Sequence, residues 1–179
     1  MSKIKSNHSG LIITFRVIFA LMTLAVMAYI FMLSAENAKQ SSQTSAGVIE
    51  KIVDTFVSSY KEMPVEEKKS LVSSLQDVVR KAAHFAVYAV LGFYASCFIS
   101  TFNGRFWLKL IICQSFSSLY ALSDEYHQTF SEGRSFQISD IVYDSVGAFC
   151  GIIFVLLVVL IFKKAKKRGR KGEKTRLNK

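Results

Sequence analysis

The stretch IVYDSVGAFCGIIFVLLVVLIF, residues 141–162, decides the fold of this protein. After Asp144 it carries no charged residue, and its length matches the roughly 20 apolar residues that an α-helix needs to cross a hydrocarbon layer of about 30 Å. Because a backbone inside that layer must satisfy its own hydrogen bonds, a helix is the expected structure. The stretch therefore predicts a transmembrane helix.

Three further apolar blocks precede it, at 11–33, 82–102 and 106–123. The block at 106–123 is the most polar of the four, since it contains Lys109 and Gln114. Hydrophobic residues make up 51% of the chain, and no repeat or low-complexity segment interrupts them, which excludes solenoid and disordered classes. The predicted fold class is all-α, an integral membrane bundle of four transmembrane helices.

The distribution of charge predicts how the bundle lies in the membrane. The chain has a formal net charge of +10, and its basic residues concentrate in 1–16, in the connection around Arg105 and in the tail 163–179. Lys and Arg mark cytoplasmic segments, so both termini, including the short N-terminal segment 1–10, are predicted to be cytoplasmic. The tail is expected to anchor the chain at anionic lipid headgroups. No nucleic-acid partner is predicted, because no aromatic platform or nucleic-acid motif accompanies the basic run.

The segment 34–81 predicts an outer helical insertion between the first two spans. It contains two stripes of apolar residues at helical spacing, separated by Pro64, which suits the start of a helix. The second stripe is expected to continue directly into the span at 82–102. The pair could cap its own bundle or dock a partner, and the sequence leaves both open. The stripes are formed by Val48, Ile49, Ile52, Val53, Phe56 and Val57, and by Leu71, Val72, Leu75, Val78, Val79 and Ala82.

Polar side chains collect at three helix ends that share one membrane face: the start of the second span, the end of the third and the start of the fourth. Lys81, His84 and Tyr88 fall at i, i+3 and i+7, so all three can face one neighbouring helix. By the charge distribution, that face is extracytoplasmic. The candidate ligand-binding residues are Lys81, His84, Tyr88, Asp124, Glu125, His127, Gln128, Arg134, Asp140 and Asp144.

The fourth span adds small residues to this polar face. Asp140 and Asp144 are one turn apart, and Gly147 and Gly151 continue the row, which permits close helix packing. Arg134 lies in the connecting segment and is expected to offset several carboxylates. Ionisable groups at this depth cost several kcal/mol if unpaired, so they should be paired, metal-bound or open to water.

Three interpretations of the cluster remain open at this point: a salt-bridge network, a pocket for a polar headgroup, sugar or peptide, and a metal centre. The metal centre has the weakest support because no HExxH or comparable spacing is present, and no metal or cofactor is predicted. Catalysis stays uncertain, since no activated Ser or Cys nucleophile is evident. No chemistry is assigned to the three cysteines at 97, 113 and 150, which are expected to pack as small apolar residues.

The polar residues resemble, in order and spacing, the VanZ-like family of bacterial membrane proteins. The resemblance covers about 29–151, and the early 31–46 segment also resembles the family's exit from its first span. The carrying motifs are RKAAHF at 80–85 with Tyr88 and Leu91-Gly92, SDEYHQ at 123–128, Gly133-Arg134, Ser139-Asp140, and Asp144 with Gly147 and Gly151.

The resemblance implies a small multi-span protein of the bacterial cytoplasmic membrane, associated with resistance to the glycopeptide teicoplanin. Its expected partners are membrane lipids and either a lipid-linked cell-wall component or the glycopeptide itself; the oligomeric state is not predicted. Two rival hypotheses are a membrane hydrolase or transferase acting on a lipid phosphate or lipid-linked sugar, and a structural protein whose polar network only stabilises the bundle.

Overall fold

The computed structural model describes residues 2–58 and 60–177, with side chains over 10–58 and 60–169. Within these ranges the chain is entirely helical and contains no strand, so the predicted all-α class is confirmed. A short 3-10 turn, Tyr60–Glu62, separates the second and third α-helices. The helices are α1 (Ser2–Ser34), α2 (Ala38–Phe56), α3 (Val65–Ser100), α4 (Phe106–Gln128) and α5 (Ile138–Leu177).

Three segments are long and apolar enough to cross a membrane: Gly10–Ser34 in α1, Val65–Ser100, which is the whole of α3, and Ile138–Gly169 in α5. They contain the predicted spans 11–33 and 141–162 and most of the span 82–102, whose last two residues lie beyond the end of α3 at Ser100. The helix α4, which contains the predicted span 106–123, is not among them, because its polar residues dilute its hydropathy. The protein is therefore a membrane protein with three candidate spans, and a fourth span stays a prediction.

The helix α4 nevertheless buries polar side chains and exposes apolar ones, the reverse of a surface helix in a water-soluble protein. Its Lys109 is only 5% exposed, and the ammonium group donates a hydrogen bond of 2.6 Å to the carbonyl of Phe102. Its polar Ser117 is fully buried. The exposed large side chains of α4 are apolar or aromatic, namely Trp107, Leu108, Ile111, Ile112, Phe116, Leu119, Leu122 and Tyr126.

Glycines bring α3 and α5 together, and these two helices share the largest helix–helix contact of the molecule. A Cβ atom at Gly147 would overlap the carbonyl oxygen of Phe85, and one at Gly151 would overlap that of Ala89. The two backbones can approach this closely only because neither position carries a side chain. This close packing sets the spacing between His84 on α3 and Asp144 on α5.

The insertion consists of α2 and nearly the first half of α3, which pack on each other. Ile49, Val53, Tyr60 and Val72 form their shared apolar core. Because α3 is one unbroken helix, the second amphipathic stripe continues into the predicted span 82–102, as expected. Other apolar residues of the insertion, including Phe56 at 81% exposed, remain uncovered within the chain. The location of the insertion outside the membrane stays a prediction.

The candidate site lies where α1 and α4 end and α5 begins, which we call the polar end of the bundle. The loop 129–137 closes it, and the Ala38 amide at the start of α2 donates a hydrogen bond of 3.1 Å to the carbonyl of Glu132 in that loop. Gly133 has φ +77°, a left-handed conformation that a residue with a side chain rarely adopts. The start of α2 thus covers the loop that carries Arg134.

Candidate functional site

A half-enclosed cavity of about 80 Å³ opens at the polar end of the bundle. Its wall comes from the start of α2, the middle of α3, the end of α4, the loop 129–137 and the start of α5. Both signs of charge are present, with Arg and Lys side chains alongside carboxylates. The lining residues are Ala38, Arg80, Lys81, His84, Glu125, Gln128, Gly133, Arg134, Ser135, Gln137, Asp140, Tyr143 and Asp144.

Three of the candidate residues meet from three different helices. His84 on α3, Asp124 on α4 and Asp144 on α5 each place a potential ligand atom within 4.8 Å of the other two. The Nδ1 atom of His84 lies 3.7 Å from Oδ2 of Asp144. Asp124 and Asp144 are only 3% and 2% exposed, so two carboxylates are buried beside one imidazole.

The side chain of Gln128 connects three parts of the polar end. Its amide nitrogen donates two hydrogen bonds, one of 3.3 Å to Oδ2 of Asp124 and one of 3.4 Å to the hydroxyl of Ser34. Its carbonyl oxygen accepts a hydrogen bond of 2.7 Å from the guanidinium of Arg134. We expected Arg134 to offset several carboxylates, whereas among the described side chains it forms no ion pair. An amide, which presents an acceptor and a donor at once, holds the cation instead.

The remaining cations of the cavity are paired with carboxylates at its rim. The ammonium of Lys81 lies 3.8 Å from Oδ1 of Asp140 and 5.2 Å from the centre of the Tyr143 ring. Arg80 pairs with Asp77 one turn earlier on the same helix, at 3.2 Å. Both pairs are partly exposed, so each contributes at most about 1 kcal/mol to stability.

The loop 129–137 is held by Glu125. Its Oε1 atom accepts a hydrogen bond of 2.7 Å from the backbone amide of Gln137. Burial raises the pKa of the Glu125 carboxyl, and that hydrogen bond opposes part of the rise. Burial lowers the pKa of the Arg134 guanidinium, and the neighbouring charge of Arg80 adds to the effect. A guanidinium still stays charged at neutral pH, so the cavity carries a permanent positive group.

Three candidate residues do not line the cavity, namely Tyr88, Asp124 and His127. Asp124 belongs to the cluster with His84 and Asp144 described above. The His127 ring packs on Phe31 of α1, with 4.1 Å between the ring centroids. Tyr88 is fully buried in the apolar core between α1, α3, α4 and α5, and it lines a small gap together with His84. Tyr88 therefore stays a neighbour of His84, whereas His127 packs on α1.

Sequence reasoning missed several residues of the cavity as site residues. Arg80, Gln137 and Tyr143 line it, and the fully buried Ser34 supports Gln128 from the end of α1. Tyr143 follows Asp140 at i+3, a spacing that could have indicated a shared face. Nothing in the sequence around Ser34 indicates contact with residue 128, because the two belong to helices far apart along the chain.

A second cavity, of about 390 Å³, lies in the apolar part of the bundle, between α1, α3 and α4. Its wall is almost wholly apolar, and Thr23, Phe98 and Phe116 are among the residues that line it. This wall suits hydrocarbon and offers few partners for a polar ligand. Polar recognition therefore belongs to the cavity at the polar end.

Comparison with known proteins identifies one family. The sequence model of the VanZ/LLP1 family matches residues 19–162, which include the second half of α1, all of α2 to α4, and the apolar part of α5. The matched range contains every candidate site residue. Neither the curated proteins nor the solved structures contain a significant match.

Proposed function

The chain belongs to the VanZ/LLP1 family, and from that premise we propose that it is a cell-envelope protein that lowers susceptibility to glycopeptide antibiotics such as teicoplanin. Its cavity at the polar end binds the anionic headgroup of a lipid-linked envelope component. Direct binding of the drug is the alternative. The observation that carries the proposal is a half-enclosed cavity at one end of a membrane-spanning bundle, lined by a permanently charged guanidinium, that of Arg134, which has no carboxylate partner among the described side chains.

The chemistry of the cavity favours a small anionic group. Arg134 has no carboxylate partner among the described side chains, and its planar guanidinium suits phosphate or carboxylate oxygens. Lys81 is held only loosely by Asp140, at 3.8 Å, and is free to turn toward an added anion. A cavity of about 80 Å³ is far smaller than the several hundred Å³ of pockets for drug-sized molecules, which supports a headgroup over the whole antibiotic.

The proposal places the polar end at the outer face of the bacterial cytoplasmic membrane. The exposed apolar surface of α4 supports a fourth span at 106–123, because that surface would face lipid while Lys109 stays buried at one end. Four spans put both termini on one side, and the concentration of Lys and Arg in 163–179 makes that side cytoplasmic. The insertion 34–81 then lies outside, over the cavity.

Expression in a glycopeptide-susceptible Gram-positive host tests the proposal. The wild-type protein should reduce teicoplanin susceptibility, and Arg134→Gln should remove most of that effect at unchanged abundance in the membrane. The expected weakening of headgroup binding is about tenfold or more, since one charge-assisted hydrogen bond is lost. Lys51→Gln, an exposed cation on α2 outside the cavity, is the matched control and should behave as wild type.

Three outcomes contradict the proposal. Equal susceptibility with and without the wild-type protein removes the resistance function. A loss of resistance in Arg134→Gln that only follows a loss of protein from the membrane indicates instead that the polar network is structural. If purified protein turned over a lipid phosphate, the enzymatic hypothesis would replace the binding one.

A further inference from the structure

The cluster of His84, Asp124 and Asp144 has the composition and spacing of a cation site. The three potential ligand atoms lie within 4.8 Å of one another, which is the separation that ligands about 2.0–2.5 Å from a common ion can span. We propose that these three side chains bind a divalent transition-metal ion at the floor of the polar cavity. No spacing motif could indicate this site, because each helix contributes a single ligand.

The carboxylate oxygens of the cluster have few hydrogen-bond donors. Oδ1 of Asp124 and Oδ1 of Asp144 are buried without a hydrogen-bond partner among the described residues, and Oδ2 of Asp124 accepts a hydrogen bond of 3.3 Å from Gln128. The hydroxyls of Ser34 and Tyr88 also lie beside Asp124. The 3.7 Å between Nδ1 of His84 and Oδ2 of Asp144 is too long for a hydrogen bond. Two buried carboxylates with so few donors favour a bound cation, since uncompensated buried charge costs several kcal/mol.

The basic side chains nearby do not supply that cation. Lys81 pairs with Asp140, and Arg134 donates to Gln128. Across residues 10–58 and 60–169, no Lys or Arg nitrogen lies within 4.0 Å of the carboxylates of Asp124 or Asp144. The charge of the cluster is therefore balanced by a proton on His84 or on a carboxyl group, or by an ion, and a divalent ion is the one that balances both carboxylates while both are ionised.

The donor set indicates the class of metal. One imidazole nitrogen with two carboxylate oxygens suits Zn²⁺ or Mn²⁺ better than Ca²⁺, which prefers six to eight oxygens. Three protein ligands leave coordination positions open, as in reactive rather than purely structural zinc sites. Since His84 and Asp144 also line the cavity, these open positions would face the space that Arg134 borders. The ion would then bind an anionic oxygen of a ligand in the cavity.

The metal proposal stands on the three side chains alone and does not depend on the glycopeptide function. It is tested on the full-length protein in detergent, with any polyhistidine tag removed and bound metal stripped by a chelator. Titration with Zn²⁺ by calorimetry and with Mn²⁺ by electron paramagnetic resonance should each give one ion per chain. Mn²⁺ is included because thiolates of the free cysteines bind it poorly.

Isosteric variants locate the ion. His84→Gln, Asp124→Asn and Asp144→Asn should each weaken metal binding by at least about tenfold, as expected when a ligand is lost. Glu50→Gln is the matched control, because Glu50 is an exposed carboxylate on α2 outside both the cavity and the cluster, and this variant should bind the metal as wild type does. Loss of metal binding in all four variants alike would overturn the assignment.

A measurement on the wild type alone tests the proposal even if the variants fail to fold. Stripping the metal should lower the melting temperature, and one equivalent of Zn²⁺ or Mn²⁺ should restore it, because an ion that binds only the folded state stabilises it. No stoichiometric binding and no change in melting temperature would overturn the proposal. If the protein binds the metal but its expression leaves glycopeptide susceptibility unchanged, the metal site stays in place and only the proposed function is removed.

Discussion

At the scale of the residue, the amide of Gln128 is the shared partner of an acid and a base. We expect Gln128→Ala to lower the free energy of unfolding by about 2 kcal/mol, because it leaves a buried oxygen of Asp124 without its donor and Arg134 without its acceptor. Thermal unfolding in detergent, followed by circular dichroism, measures the change.

Gln137→Ala serves as the control for that prediction. Gln137 is exposed, and its hydrogen bonds use only its backbone: the amide donates to Glu125 and the carbonyl accepts from the amide of Asp140. Removing its side chain should change stability by less than about 0.5 kcal/mol. Equal losses in the two alanine variants would show that Gln128 does not organise the polar end.

At the scale of the element, glycines determine how closely α3 and α5 pack. We expect Gly151→Ala to destabilise the protein by about 1–3 kcal/mol, because its Cβ would overlap the carbonyl oxygen of Ala89, a backbone atom that cannot move alone. The displaced helices would also separate His84 from Asp144. The melting temperature of the variant in detergent measures the loss.

Gly47→Ala is the matched substitution, and we expect it to raise the stability of the protein instead of lowering it. Gly47 lies in α2 with no atom within 4 Å of a Cβ built there, so alanine meets open space. It should stabilise α2 by about 0.5–1 kcal/mol, since alanine loses less backbone entropy in a helix. If both alanine variants raised stability, close packing at Gly151 would be disproved.

At the scale of the whole molecule, the proposed fourth span determines on which side of the membrane each connecting segment lies. With α4 across the membrane, Asn103 and Lys166 lie on one side and Glu132 lies on the other. Single cysteines at these exposed positions, treated in intact cells with a membrane-impermeant maleimide, should label only at Glu132→Cys. The same response at Asn103→Cys and Glu132→Cys, with the opposite response at Lys166→Cys, would indicate three spans and an α4 that does not cross, because 101–137 would then lie on one side of the membrane and Lys166 on the other.

The native thiols must be removed for that measurement. Cys97, Cys113 and Cys150 lie within α3, α4 and α5, and alanine at all three positions provides the background. Permeabilised cells, in which all three introduced cysteines should label, provide the control for reactivity.

Much of the architecture could be predicted from the sequence because the bilayer imposes a length on apolar runs. The helices α1 and α5 contain the predicted spans 11–33 and 141–162, and α3 contains the predicted span 82–102 up to Ser100. The span predicted at 106–123 is not among the candidate spans, since hydropathy averages a whole helix and cannot register that Lys109 is turned inward and bonded to Phe102. That distinction requires knowing the rotation of α4 about its axis.

The sequence could predict that the candidate-site residues lie at a similar depth in the membrane. It could not predict which of their side chains contact each other. Residues at helix ends on one face must lie at similar depth, and this follows from the order of the helices alone. The partners of each side chain depend on helix rotation: His127 packs on Phe31, whereas His84 lies beside Asp144. Neighbouring positions on a helix differ by about 100° in direction, so helical spacing alone does not select the neighbour.

By itself, the sequence determined that the chain is helical and membrane-embedded, and which polar residues share a depth, because apolar length and helix order are properties of the chain. Only the tertiary structure decided that Arg134 binds Gln128 rather than a carboxylate, and that His84, Asp124 and Asp144 form one cluster. Those pairings depend on distances of a few ångströms between helices. Such distances are set by packing, as at Gly147 and Gly151, and by no local pattern of residues.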